Sequence, residues 1–504
     1  MQGKVYLVGG GPGDYQLMTL KGLACIRQAD VLIYDRLVNP YYLKEVKLTC
    51  ETIYVGKDAT HHTLPQDKIN ELLVTKAQAG KIVTRLKGGD PYVFGRGGEE
   101  AEFLYDHHVP FEVVPGITSA IGGLCYGGIP ITHRDYASSF HVVTGHLQDD
   151  SLDQLDWRGL ARLSGTLVFL MGVKNLAKIS AALIREGMPK DTPVGLISQA
   201  TTPTQQVLTS TLAAVKELAL KEAVKPPTLI VIGNVVLLQN KLNFFEQKPL
   251  YGKNIVVTRA SSQNKKMIEK IMDLGGNPIE IPTIKIEKIP NNLELQQEIK
   301  ELNKYQYLIL TSTNAVKIFF EALAKTGLDS RALAHLKIAT IGSKTAQVLS
   351  EKGIKADLIP TDYTLEALVA LIKPFIKPSD RVLIPKADKT RTVLVETLPG
   401  NIKEVVIYRT IVDDRQKALL LQLLNEDRID YLTFSSASAV QNFMKILGQE
   451  QVAKLNETKI ISIGSMTTQA VLTAHLKVYQ EAETATIDAM IEAIEKDQIG
   501  DKRC

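Results

Sequence analysis

Near its start the chain sets a glycine turn, GGGPGD from Gly9 to Asp14, directly after an apolar run, and an acid, Asp35, at the end of the next one. A turn without side chains lets backbone approach a ligand closely. The strict dinucleotide spacing G-x-G-x-x-G fails, because Asp14 stands where its last glycine belongs. Asp35 holds the place of a ribose-binding acid. Taken alone, the pair fits a structural turn, a generic nucleotide site or something sharper. His133 and His146 lack metal-ligand spacing, so hydrogen bonding is their plainer use and no metal is expected. Cys25, Cys50, Cys125 and Cys504 form no CxxC pair. That indicates neither a zinc site nor a disulfide framework, and makes a reducing cytoplasm the expected setting.

These residues need elements to hold them. Short apolar runs alternate with amphipathic helical stretches, the pattern of a parallel α/β architecture. VYLVG from Val5, ADVLIYD from Ala29, KIVTRLKGGD from Lys81 and SGTLVFLMG from Ser164 are such runs. At 504 residues, two to four domains are expected. Hydrophobic residues at 45% and charged ones at 23% suit a globular chain with real cores. A net charge of +4 with interspersed signs argues against nucleic acid as a partner, while leaving room for local basic pockets. No run is apolar for long enough to cross a bilayer, so no membrane partner is expected. The opening MQGKVYLVGGGPGD reads as strand and turn rather than as a secretory signal.

A first segment closes on TLIVIGNVV from Thr228, and NIVVTRA from Asn254 opens a fresh strand, which puts a boundary near residue 248. The second segment echoes itself. YLILTSTNAVKIFF from Tyr307 resembles YLTFSSASAVQNFM from Tyr431, and KIATIGSKTAQVL from Lys337 resembles KIISIGSMTTQAV from Lys459. Each reads as strand, hydroxyl-rich turn and helix, so two related lobes are expected. IPTIKIEKIP from Ile281 and VVIYRTIVDD from Val405 look like paired crossings between them, with the second lobe inserted in the first.

Three further blocks sharpen the first segment: RLKGGDPYVFGRGGEE (Arg85 to Glu100), VPGITSAIGGLCYGGIPITHRD (Val114 to Asp135) and VVTGH (Val142 to His146). With GGGPGD, YDRLV, FLMGV, ISQATTPTQQ and PPTLIVIGNVV they resemble the uroporphyrinogen III C-methyltransferases in order and spacing, over roughly residues 1–245. Gly10 departs from the family's usual alanine, a sterically harmless change. The resemblance implies two α/β lobes, split near 114–120, with S-adenosylmethionine between them and S-adenosylhomocysteine as its product. It implies that Gly88, Gly89 and Asp90 cradle the methionine end, with Pro12, Val93 and Phe94 in the same pocket. Thr118 and Ser119 would add hydroxyl contacts, and Met171 a backbone contact to the adenosine. Asp90 also reads as a turn-stabilising acid. Transfer from a sulfonium needs little beyond in-line positioning and exclusion of water. Asp35 is the candidate base for the proton lost afterwards, and an ordinary strand-end acid otherwise. A substrate with eight carboxylates calls for cations, and Arg36, Arg96, His133 and Arg134 fall in the matched blocks.

In the second segment, NIVVTRA, TSTNAV, IGSKTA, VVIYRT, FSSASAV and IGSMT resemble uroporphyrinogen III synthase over residues 250–504. The resemblance implies a two-lobed clamp, lobe 1 from 250–284 and 412–504 and lobe 2 from 287–409, that binds the linear tetrapyrrole hydroxymethylbilane. Hydroxyls and amides at the lobe rims suit carboxylate arms, which points to Thr311, Ser312, Ser343, Lys344, Ser435, Ser436 and Thr467. Serine and threonine after strands also serve as helix caps. Tyr408 matches the tyrosine proposed to assist departure of the hydroxyl, and reads otherwise as a packing residue. Arg259 either reaches a carboxylate or pairs within its own lobe.

The implied enzyme cyclises hydroxymethylbilane to uroporphyrinogen III, then methylates it to precorrin-2 for the sirohaem or cobalamin branch. The methyltransferase family implies a homodimer through the first segment. The alternatives are an active methyltransferase with a non-catalytic tetrapyrrole-binding clamp, a methyltransferase for a later corrinoid precursor, and a nicotinamide enzyme resting on the glycine turn alone.

Overall fold

The computed structural model describes residues 3–56, 64–146, 152, 154–389, 393–455 and 457–501. Close contacts divide the chain into two compact units, Met1–Ile255 with Met267–Pro278 and Ile494–Cys504, and Val256–Lys266 with Ile279–Ala493.

The N-terminal half builds two sheets. β1 (Lys4–Gly9), β2 (Val31–Tyr34), β3 (Glu51–Tyr54), β4 (Ile82–Lys87) and β5 (Phe111–Val114) pair in the order β3-β2-β4-β1-β5, all parallel. Their near-continuous apolar runs follow from cover on both faces. Val5, Leu7, Val31 and Ile33 pack into one core, and Val8, Leu32 and Leu86 into another. The second sheet is mixed: β6 (Phe140–Thr144), β7 (Thr166–Leu170), β8 (Pro193–Ser198), β9 (Gln206–Thr211) and β10 (Thr228–Ile232) run in the order β6-β7-β10-β8-β9. Here β10 is antiparallel to both neighbours.

The C-terminal half builds two more. β11 (Asn254–Val257), β12 (Asn277–Glu280), β13 (Ile284–Lys288), β14 (Tyr307–Leu310), β15 (Lys337–Thr340), β16 (Arg381–Ala387), β17 (Asn401–Val412), β18 (Tyr431–Phe434), β19 (Lys459–Ser462) and β20 (Gln480–Glu481) form the sheets β12-β11-β18-β19-β20 and β13-β17-β16-β14-β15. Every strand of the last sheet lies in the chain between β12 and β18, so one lobe is inserted in the other. The connections into and out of it are β13 and β17, which pair antiparallel from Ile284–Val412 to Lys288–Tyr408. They are the paired crossings that IPTIKIEKIP and VVIYRTIVDD led one to expect.

Hydroxyl and amide caps open the helices that follow several strands, because their side chains accept otherwise unpaired first-turn N–H groups. Thr118 caps Ser119–Tyr126, Ser312 caps Thr313–Lys325, and Ser436 caps Ala437–Leu447. Among the described residues no helix is long and apolar enough to cross a membrane.

Candidate functional sites in the two halves

In the N-terminal half the loops after β1, β4 and β5 run backbone against backbone. Gly89 N–H donates to the Gly11 carbonyl at 2.7 Å, Gly11 N–H returns to Gly89 at 3.2 Å, and Gly10 N–H donates to Lys87 at 2.7 Å. A Cβ on Gly9 would stand 2.5 Å from Gly116 N and 2.6 Å from Gly89 O, so only glycine fits. Asp90 fastens the arrangement: Oδ1 accepts Tyr92 N–H at 2.8 Å and Oδ2 accepts Gly116 N–H at 3.0 Å. Both of its oxygens thus accept from loop backbone. Pro12 packs on Gly122 of the capped helix, near Thr118 and Ser119.

Strain marks the β4 loop and two loops of the second sheet. Phe94 and Arg96 after β4, Met171 after β7, and Gln199 and Thr201 after β8 take left-handed backbone, at φ from 49° to 65°. For residues other than glycine this costs about 1 kcal/mol or more each, and it persists where the surroundings over-determine it. Phe94 and Met171 are nonetheless 43% and 51% exposed, so apolar side chains stand open above a constrained backbone. Val93, next to Phe94, is half-buried.

A latch not foreseen from the sequence ties the loops of both sheets. Asp14 N–H donates to Thr201 Oγ1 at 3.0 Å, and Tyr126 O–H donates to Asp14 Oδ2 at 2.9 Å. Gln205 completes it, accepting Thr201 N–H at 2.8 Å and donating to the Tyr126 carbonyl at 3.1 Å. The block ISQATTPTQQ held the signal, but nothing in its spacing named Asp14 as partner.

Asp35 sits half-buried at the end of β2, one oxygen accepting Leu37 N–H at 3.2 Å and the other 3.5 Å from Arg85. Arg85 belongs to a buried cluster of charged and polar side chains. Arg85 Nε, Lys87 Nζ and Gln66 Nε2 all reach one oxygen of Glu100, at 3.2, 2.7 and 3.1 Å. Glu100 is fully buried, and its other oxygen has no hydrogen-bond partner. Burial holds the Lys87 ammonium below its usual value, with Arg85 adding to the effect and Glu100 opposing it. Arg36, Arg96 and Arg134 are exposed, and Arg96 forms a two-pronged pair with Glu99 at 2.6 to 3.2 Å. His133 uses Nδ1 to accept Asp135 N–H at 3.1 Å, a local turn contact.

In the C-terminal half the chemistry gathers at the carboxyl ends of parallel strands. The β16–β17 register shifts at Lys386 and Ala387. That bulge puts Tyr408 in the same core as Val405 and Ile407, where simple alternation would put it on the opposite face. The Tyr408 phenol, 6% exposed, hydrogen-bonds Ser312 Oγ at 2.9 Å, and the same Oγ accepts Ala315 N–H at 3.0 Å. Burial pushes the phenol up, the Ser312 bond pulls it down, and Asp388 adds a smaller upward push. Ser312 therefore holds a tyrosine and a helix end, while Thr311 beside it is half-buried. Ser343 and Lys344 are exposed in the first turn of Ser343–Ser350, and Ser435 and Ser436 are half-buried at the start of their helix. Thr467 is 4% exposed, so it offers an arm of a substrate almost no surface. Arg259, half-buried, donates to Gln263 at 3.3 Å but leaves its buried Nε without a partner.

Tetrapyrrole (corrin/porphyrin) methylases match residues 4–216, and the uroporphyrinogen-III synthase HemD family matches residues 265–492. The porphyrin biosynthesis protein HemD of Ruminiclostridium josui is 40% identical over 98% of this chain and 97% of its own. A uroporphyrinogen-III C-methyltransferase of Bacillus subtilis is 37% identical over 90% and 89%. A siroheme synthase of Nitrosomonas europaea is 54% identical over 48% of this chain and 51% of its own. The solved uroporphyrin III C-methyltransferase of Thermus thermophilus is 43% identical, covering 47% of this chain and 100% of its own with a TM-score of 0.41. The two segments are thus the halves of an enzyme of tetrapyrrole biosynthesis. The chain belongs to the family in which a uroporphyrinogen III C-methyltransferase is fused to a uroporphyrinogen III synthase.

Proposed function

We propose that this enzyme cyclises hydroxymethylbilane to uroporphyrinogen III with inversion of ring D, then methylates that product at C2 and C7 to give precorrin-2. The observation that carries the reading is the pairing itself: both families match within one chain, and the product of one is the substrate of the other. Residues 1–245 form the methyltransferase and 250–504 the synthase, acting in a cytoplasmic homodimer joined through the first half.

S-adenosylmethionine fits the N-terminal loops, because Gly89 leaves its side open: a Cβ there would meet nothing nearer than Thr118 Cα at 3.8 Å and Ser119 N at 3.9 Å. Bound there, it supplies an electrophilic methyl group. Gly88, Gly89, Pro12, Val93, Phe94, Thr118, Ser119 and the Met171 backbone hold it, and Asp90 keeps their loop in shape. The loops' fixed geometry aligns the pyrrole carbon, with Arg36, Arg96, His133 and Arg134 taking carboxylate arms. Asp35 receives the proton lost from the methylated carbon, its carboxylate oriented by Arg85.

In the second half, Tyr408 donates a proton to the departing hydroxyl of hydroxymethylbilane. Water leaves, the terminal pyrrole gives up its N–H proton to become an azafulvene, and its methylene bonds to the substituted carbon of ring D. The bond from that carbon to the ring C bridge then breaks and re-forms at the free carbon of ring D, whose proton is released. Thr311, Ser343, Lys344, Ser435 and Ser436 steer the arms. The unpartnered Nε of Arg259 awaits an acceptor, which a carboxylate arm provides.

A product assay from hydroxymethylbilane, with and without S-adenosylmethionine, tests the whole reading. Isomer III is expected without the cofactor and precorrin-2 with it. Isomer I alone, with supplied isomer III still methylated, would reduce the second half to a binding clamp.

A further inference from the structure

The two lobes of the C-terminal half repeat closely enough to be compared position by position. In each a strand, β15 or β19, is followed two residues on by a glycine, Gly342 or Gly464, that opens a helix, Ser343–Ser350 or Ser465–Thr473. The threonine three residues on is buried in both, Thr345 at 5% and Thr467 at 4%. A short segment then returns parallel to the strand: Leu358 bridges Ala339 in one lobe, and Gln480 and Glu481 pair with Ile461 and Ser462 in the other. A threonine caps the next helix in each, Thr364 accepting Ala367 N–H at 3.1 Å and Thr486 accepting Ala489 N–H at 3.2 Å.

The residue just before that capping threonine lies over the glycine in both lobes. In one it is Tyr363 and in the other Ala485. A Cβ built on Gly342 would meet Tyr363 Cγ at 3.1 Å, and one on Gly464 would meet the Ala485 Cβ at 3.8 Å. Tyr363 is therefore braced at its root by backbone, yet it is 60% exposed. The turn does not need an aromatic ring, since its counterpart is built with alanine. The ring stands at the carboxyl ends of parallel strands, where open α/β sheets take their ligands, and Gly342 leads directly into Ser343 and Lys344.

We propose that Tyr363 is a stacking platform for one pyrrole ring of the linear tetrapyrrole, a contact that the inserted lobe makes and the other lobe lacks. The inference rests on the synthase reading. A phenol face and an electron-rich pyrrole pair in offset or edge-on geometry, with Ser343 and Lys344 at hand for that ring's carboxylates. Two similar jaws cannot by themselves tell one end of a four-ring chain from the other. An aromatic face at this turn in one jaw, where the other has alanine, gives the clamp a direction.

Steady-state cyclisation of hydroxymethylbilane by the full chain tests this. Tyr363→Ala is expected to raise KM about ten-fold, a stacking contact's worth, while kcat changes less than about three-fold. Tyr363→Phe, which restores the face without the hydroxyl, is expected to return KM to within about two-fold of the parent. A melting temperature for each variant separates lost binding from lost folding. If the parent forms isomer III and Tyr363→Ala keeps its KM, the platform is refuted while the synthase reading stands. If Tyr363→Phe loses as much as Tyr363→Ala, the hydroxyl and not the face is what matters, and the proposal fails. A parent that forms only isomer I overturns the synthase reading and this inference together.

Discussion

The two halves solve the problem of holding a tetrapyrrole by opposite means. The candidate N-terminal site is mostly backbone, glycines packed carbonyl against amide and strained left-handed residues, with a latch of four side chains tying loops of the two sheets. The C-terminal sites are made of side chains on helix ends, in two lobes connected by an antiparallel ribbon of β13 and β17. The first arrangement suits a reaction whose difficulty is alignment, since misplacing a reacting atom by 1 Å costs about a hundred-fold. The second suits a reaction that must fold a flexible substrate before any bond forms. Catalytic demand, rather than substrate, separates them.

The sharpest way to break this contrast is Gly9→Ala. Its Cβ would press on Gly116 and Gly89, so methylation is expected to fall at least about a hundred-fold in kcat/KM, with cyclisation in the same chain kept. Equal loss of both activities would mean that the halves do not stand on separate frameworks.

Removing a buried charge comes next. Glu100→Gln leaves the buried Arg85 and Lys87 without their shared carboxylate, and is expected to destabilise the N-terminal half by about 3–5 kcal/mol. The C-terminal half has a more open analogue, Lys386 paired with Glu404, whose side chains are 9% and 20% exposed. Glu404→Gln is expected to cost about 1–3 kcal/mol, the less for its access to water. Unfolding scans of the two variants would rank them, and a reversed order would contradict the comparison.

Tyr408→Phe is expected to slow cyclisation about a hundred-fold while methylation of supplied uroporphyrinogen III persists. Because burial raises this phenol above its ordinary value of about 10, its proton is retained below that pH and lost only above it. Parent cyclisation should therefore hold through about pH 10 and decline beyond, and an alkaline fall near pH 8 would remove Tyr408 from the role. The smallest contrast is between two caps. Ser312→Ala and Ser436→Ala should each cost about 1 kcal/mol. Only Ser312→Ala should also slow cyclisation, because only Ser312 holds Tyr408.

Much of this was legible because strand ends announce themselves. The runs that end in GGGPGD, KGGDP and FLMG carry their glycines and their strain within a few residues, so local pattern sufficed. The internal echo at Tyr307 and Tyr431 likewise survived as residue order. What stayed hidden depended on distance along the chain. Asp14 meets Thr201 across 187 positions, and no spacing rule links them. Glu100 reads as one of two adjacent acids at the start of a helix, and only the turn of that helix decides that it is buried while Glu99 pairs with Arg96 at the surface. The burial of Thr467 is hidden for the same reason: a threonine in a hydroxyl-rich turn looks like rim, but the helix turns it inward. The bulge that re-aims Tyr408 has no signature in VVIYRT at all.

The insertion of one lobe within the other also bears on how the chain is made. Thr258 Oγ1 donates to the Thr433 carbonyl from 175 positions away, so β11 cannot meet its neighbour β18 until the whole intervening lobe has left the ribosome. At about 5–20 residues per second that is a delay of roughly 10–35 s, during which β11 waits with an open edge. The inserted lobe, complete between β13 and β17, has time to fold first. Synthesis thus proceeds from the inside out in this half. A nascent chain paused before residue 430 would carry one finished lobe beside an unfinished one, the species that a chaperone is best placed to protect.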